Sequence, residues 1–154
     1  MNTNSLQLLL DRAEITDTVL RFARAFDIKD WDLLRTCLTD EIETDYSDFR
    51  GEPPGNLKAD EYVTSRSSTL QDVKTQHLST NHLITIDGDE AICISNAVIY
   101  RSLIDRDERY DTYGYYTHTL QKTTEGWKIS KIKQTVYWNV GNPLVHGKNR
   151  KNTP

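Results

Sequence analysis

The sequence predicts an α+β domain: a cone-shaped α+β barrel whose strongly curved antiparallel sheet is closed by N-terminal helices around a central pocket. Three observations carry this. Apolar residues recur at helical spacing through the first part of the chain. From residue 74 the period changes to two. Two tight-turn signals then join long strands into hairpins.

Residues 5–27 form a long amphipathic helix, with Ile15, Val19, Phe22 and Phe26 on one stripe. Asp27 falls on the edge of that stripe and faces inward. It sits in the last turn, where the helix dipole and burial both disfavour a negative charge. A helix-end Asp also serves simply to cap the turn or to pair with Lys29.

Asp30 reads as the N-cap of a second helix over residues 30–38, with Trp31, Leu34 and Leu38 on one side and Thr39-Asp40 ending it. In EIETDY, Ile42, Thr44 and Tyr46 share one face of a half-buried strand, and Tyr46 points inward at its end. FRGEPPGN is a loop. Residues 59–71 form a third helix carrying Tyr62, Val63, Arg66 and Leu70.

KTQHLSTNHLITI and AICISNAVIYRSL flank the hairpin signal Asp87-Gly88, and DRDER is a charged loop. RYDTYGYYTHTLQK and GWKISKIKQTVYW flank Thr124-Glu125-Gly126, a second hairpin. Gly114, inside a strand, suits a bend or bulge that curves the sheet.

The 154 residues, 27% charged and 36% hydrophobic, suit one globular domain over residues 1–147 followed by a polar tail over 148–154. A net charge of −4 excludes general nucleic-acid binding, which needs a basic face. The LQLLL run is too short and too soon followed by charge to be a signal peptide or a membrane span. Cys37 and Cys93 sit in apolar patterns and read as small buried core residues, which suits the reducing cytoplasm.

There are four histidines: His77, His82, His118 and His146. His77 and His82 are five apart in a strand and face opposite sides unless a bulge intervenes. No ligand spacing supports a metal site, and no cofactor is expected. His82 shares a face with Ile84 and Ile86 and reads as a core or rim histidine. His118 lies on the Tyr116 side of its strand, and His146 belongs to the tail. His77 stands in the polar patch TQHLSTN, whose inward residues need partners or a ligand. Nucleophile-elbow, phosphate-loop and dinucleotide fingerprints are absent from the sequence. Asp27, His77 and the tyrosines remain, a set suited to proton transfer.

The stretches FDIKDWDLL, ETDYSDF, TQHLSTN and GWKI, in this order and spacing, resemble the nuclear transport factor 2-like superfamily. Within it the chain looks like the SnoaL-like group, and most like the branch of scytalone dehydratase, bile-acid dehydratase and hexachlorocyclohexane dehydrochlorinase. The similarity spans roughly residues 8–140. The resemblance implies an Asp–His acid–base pair at Asp27 and His77 and a carbonyl-polarising tyrosine at Tyr46. Phe22, Tyr116 and His118 join Tyr46 as expected substrate-binding residues.

Three departures separate this chain from scytalone dehydratase itself. Phe26 replaces a tyrosine, a second pocket histidine falls near Tyr100 or Arg101, and a serine and an asparagine fall near Gly114–Thr117. The implied activity is a cofactor-independent dehydratase-type lyase acting on a small, partly apolar cyclic molecule. An isomerase or cyclase using the same proton transfers, and a non-catalytic ligand-binding protein, are the alternatives. The expected partners are a small-molecule substrate and further copies of the chain, a trimer favoured over a dimer, with neither nucleic acid nor membrane.

Overall fold

The structure is a computed structural model that describes residues 3–146; the expected tail, 148–154, lies outside the described residues. The elements run α1 (Thr3–Ile28), α2 (Trp31–Thr36), β1 (Leu38–Asp45), α3 (Ser47–Arg50), β2 (Gly55–Lys58), α4 (Ala59–Thr69), β3 (Val73–Asp87), β4 (Glu90–Leu103), β5 (Tyr110–Thr123) and β6 (Gly126–Gly141). A 3-10 turn, Pro143–His146, follows.

The expected α+β fold is present. The strands form one open sheet in the order β2-β1-β6-β5-β4-β3. The two hairpins fall where the turn signals place them, around Asp87-Gly88 and before Gly126. The sheet is mixed, because β1 runs parallel to β6 while every other neighbouring pair is antiparallel. A parallel pair needs a long connection, and α3 and α4 with four intervening strands supply it.

Local pattern and tertiary pairing disagree at two places. The second helix stops at Thr36, and the strand begins at Leu38 rather than at Glu41. The amide of Ile129 donates to the Cys37 carbonyl at 2.8 Å, so the ladder to β6 captures Leu38 from the helix. The segment 49–56 is more than a loop. Tyr46 opens the short α3 turn, accepting at its carbonyl from the Phe49 and Arg50 amides. Beyond it, Gly55–Lys58 add an edge strand to β1. That strand is too short for periodicity to reveal.

The core lies between α1 and the inner face of the sheet. Ile15, Val19, Phe22, Ala25 and Phe26 pack toward Leu38, Ile42, Cys93, Ile99, Leu120, Trp127 and Ile132. Helix α1 is pinned at its middle by the second hairpin. Trp127 donates its amide to Glu14 and its indole N–H to Asp11, each at 3.0 Å, and Thr18 donates to the Trp127 carbonyl.

Two of the sheet's four register irregularities bear on the site. One sits where Asn81, at φ 55°, and His82 together oppose Ser95. The other sits between Tyr113 and Gly114, where the expected bend falls. At Gly114 a Cβ would meet the Thr135 carbonyl oxygen at 2.0 Å. Gly114→Ala must therefore push two strands apart and is expected to destabilise the fold by about 1–3 kcal/mol in urea denaturation.

Candidate active site in the cone

The site is built where the end of α1 meets β3. Asp27 reaches past the helix terminus to the free edge of that strand. Its carboxylate accepts from the Thr75 hydroxyl (3.0 Å), the His77 backbone amide (2.9 Å) and His77 Nδ1 (2.6 Å). Lys29 makes no ion pair with it; its side chain lies toward Trp31 instead. The Asp27 and His77 side chains are 11% and 12% exposed, so the pair is shielded from bulk water.

With Nδ1–H held by Asp27, the lone pair of His77 resides on Nε2. Burial pushes the imidazole below its ordinary value, against the pull of Asp27, and Arg101 and Lys29 push in the same direction. The ring is neutral at pH 7 and able to accept a proton.

His77 lines a cavity of about 30 Å³, the space of one or two waters, walled by Phe26, Tyr46, Tyr62, Tyr116 and Arg101. The Tyr46 and Tyr62 hydroxyls are 2.7 Å apart. Burial pushes the phenols of Tyr46, Tyr62 and Tyr116 up, so all three stay protonated donors.

Phe22 and His118 do not line this cavity. They border a smaller void of about 10 Å³, which His77 and Tyr116 also line. His118 is 1% exposed, stacks on Tyr116 and meets Phe22 edge-on, and neither ring nitrogen has a hydrogen-bond partner.

His82 keeps the face it shares with Ile84 and Ile86, and a bulge adds His77 to that side, whereas His146 sits elsewhere than the sequence suggests. The Asn81–His82 bulge turns His82 to the same side as His77, and it shares a hydrogen bond with Ser79 at 3.0 Å. His146 belongs to the final 3-10 turn rather than to a tail; it meets Phe49 edge-on and accepts from Arg50 at 3.1 Å.

Sequence reasoning missed Arg50, Arg66 and Arg101, all on the cavity wall. Arg101 had a readable signal. It falls on the inward face of β4, in line with Cys93, Ser95, Ala97, Ile99 and Leu103. Among the described residues, no three His, Cys, Asp or Glu side chains gather as a metal site would require.

Fold and site together define an α+β cone with a shielded Asp–His contact. The sequence matches the SnoaL-like domain family over residues 7–133, and the chain belongs to that family. The scytalone dehydratase-like protein claB of Passalora fulva is 34% identical over 71 residues, a match covering 44% of this chain and 44% of that protein. Scytalone dehydratase of Colletotrichum orbiculare is 21% identical over 141 residues, covering 84% of this chain and 74% of that one. Among solved structures, the Kfla4162 protein of Kribbella flavida superposes with a TM-score of 0.85 at 27% identity, covering 90% of this chain and 98% of that chain.

His118 yields a prediction about stability. Burial lowers it to about 3. Below pH 6.5 the unfolded chain takes up a proton that the folded ring refuses. Stability is therefore lost as pH falls from 6.5 toward 3, at about 1.4 kcal/mol per pH unit. His118→Phe removes this term, and denaturant titrations across that window should show a flatter profile than the parent protein by about one proton.

Proposed function

We propose that this protein is a cofactor-independent lyase that eliminates water from a small, partly apolar cyclic substrate. The observation that carries the reading is the shielded 2.6 Å contact between Asp27 and His77 beside a tyrosine-walled cavity. Asp27 fixes the imidazole tautomer and stabilises the imidazolium once it forms. His77 Nε2 takes the proton from a carbon next to a carbonyl. The C–H electron pair passes into an enolate, the enolate returns it as a new C=C bond, and the C–O bond at the neighbouring carbon breaks. The imidazolium gives its proton to the departing hydroxyl, which leaves as water, and His77 is neutral again. Tyr62 donates to Tyr46 in one of the two orders the pair allows, and this frees the Tyr46 O–H to polarise the carbonyl. The dehydratase relatives and the family membership support the same reaction class.

The Tyr46–Tyr62 pair also favours a second reading, an isomerase or cyclase that quenches the same enolate by returning the proton to carbon. A protein that binds a ligand without turnover has no use for so well-held a base. We infer a cytoplasmic location, a reading that two free, buried cysteines suit. Among the described residues, no helix is long and apolar enough to cross a membrane.

Assembly belongs to the same proposal. The outer face of the sheet carries Leu78, Val98, Tyr113 and Trp138 in register across four strands, with exposed Leu83 and Ile94 beyond the polar Thr80–Asn96 pair. Such a face suits burial against further copies of the chain, a trimer in preference to a dimer. Sedimentation equilibrium at micromolar concentration should return a multiple of the 17.8 kDa protomer mass. A monomer there removes the assembly.

Asp27→Asn and His77→Ala should each lower turnover of a cyclic β-hydroxy ketone found by screening by at least about 10²-fold, with substrate affinity little changed. In the parent protein, kcat/KM should rise with pH as His77 loses its proton. Burial lowers that proton's affinity, so the midpoint lies below 6.5. A well-folded His77→Ala variant that keeps full activity takes His77 out of the chemistry.

A further inference from the structure

Three guanidinium groups converge on the cavity beyond the tyrosines. Arg101 and Arg66 are 4% and 8% exposed, and Arg50 is half-buried. Arg50 and Arg66 both lie over the Tyr46 ring, at 5.0 and 5.1 Å, and Arg66 also covers Tyr62 at 4.9 Å. Arg101 lies over Phe49 and donates to the Thr112 hydroxyl at 2.8 Å. Ring faces soften a desolvated charge but do not accept directed N–H bonds as an oxygen does. The Nε atoms of Arg50 and Arg66 are buried without an acceptor.

Among the described residues, none of the three forms an ion pair. Asp27 is occupied by its own donors. Asp111 reaches only the backbone amide of Arg101. Burial and the nearby Arg50 pull Arg101 down to about 10, so the cluster is held at a cost. Buried cations without counter-charges are expensive, and a fork of N–H groups fits a carboxylate edge-on.

We propose that Arg50, Arg66 and Arg101 form a carboxylate-binding subsite, so that the substrate of this cone is an acid anchored by its carboxylate with its ring against the tyrosines. This deepens the lyase reading and rests on it for the placement of the substrate near His77. Neutral cyclic ketones would then be poor substrates beside their carboxylated counterparts.

The test is calorimetric, with benzoate and benzamide as probes of the full chain. Benzoate should bind at least about tenfold more tightly than benzamide. Arg50→Gln and Arg66→Gln should each remove that preference and leave benzamide binding alone. Arg50 lies in a half-exposed turn, so its variant keeps the test open if Arg66→Gln fails to fold. Asp27→Asn should keep the benzoate preference, since the subsite does not use the dyad. Equal binding of the two probes, no binding of either, or a benzoate preference that survives Arg50→Gln overturns the subsite. Displacement of benzoate by inorganic phosphate at matching concentration overturns the choice of a carboxylate. A chain that prefers benzoate but eliminates nothing loses the lyase reading and keeps the subsite. One that eliminates only neutral substrates does the reverse.

Discussion

The contact on which the rest depends is the one between Asp27 and strand β3. β3 ends the sheet, so the backbone groups on its outer edge have no strand to pair with. Helix α1 lies along that edge and supplies the missing partners. Asp27 accepts the His77 amide, and Arg12 donates to the Ile84 carbonyl at 2.8 Å. Between these two points the Asn81–His82 bulge switches which residues face outward. The helix thus serves both an amide before the bulge and a carbonyl after it. With Asp11, Glu14 and Thr18 tied to Trp127, α1 is held at both sides of the cone.

The same clasp sets the electrostatics of the cavity. A lone carboxylate at a helix C-terminus would be disfavoured by the dipole and by burial. Three donors to the carboxylate offset that, and two of them come from His77 itself. The imidazole cannot rotate without giving up its own 2.6 Å bond to Asp27, whose carboxylate is held in place by the His77 amide and the Thr75 hydroxyl. A base fixed in this way needs little reorganisation when it takes a proton. Asp27 is therefore part of the architecture and of the site at once. Under the proposed mechanism, loss of its charge would touch folding and proton transfer through the same hydrogen bonds.

Much of this was legible in the sequence. The stripe of Ile15, Val19, Phe22 and Phe26 places Asp27 facing inward, and the turn signals place both long hairpins. What escaped was set by partners distant in the chain. Leu38 reads as helix, and only Ile129 makes it a strand. The bulge at Asn81 is invisible to a period of two, so the face that His82 shares with Ile84 and Ile86 is legible while its sharing that side with His77 is not. His146 precedes the polar run GKNRKNTP and reads as terminal, yet Phe49 and Arg50 hold it in place. Arg50 had no local signal at all, since its role depends on where α3 folds back. Arg66 and Arg101 did have one, a cation on an otherwise inward-facing stripe, and the aromatic residues around them drew the attention instead.

The size of the cavity constrains how the site works. About 30 Å³ admits water and excludes a ring. A cyclic ligand enters only by displacing part of the wall, and the wall differs in firmness. Phe26 and Tyr62 belong to the packed core, whereas Phe49 and Arg50 are half-buried on a four-residue turn. That turn is held by Asp45, which accepts from Ser47 at 2.6 Å, and ends at Gly51 in a left-handed conformation at φ 70°. Because the turn carries one of the three arginines, a ligand of the proposed subsite that displaced it would meet Arg50 on entering. Entry and recognition would then be coupled through a single element, while Asp27 and His77 are held by α1 and β3.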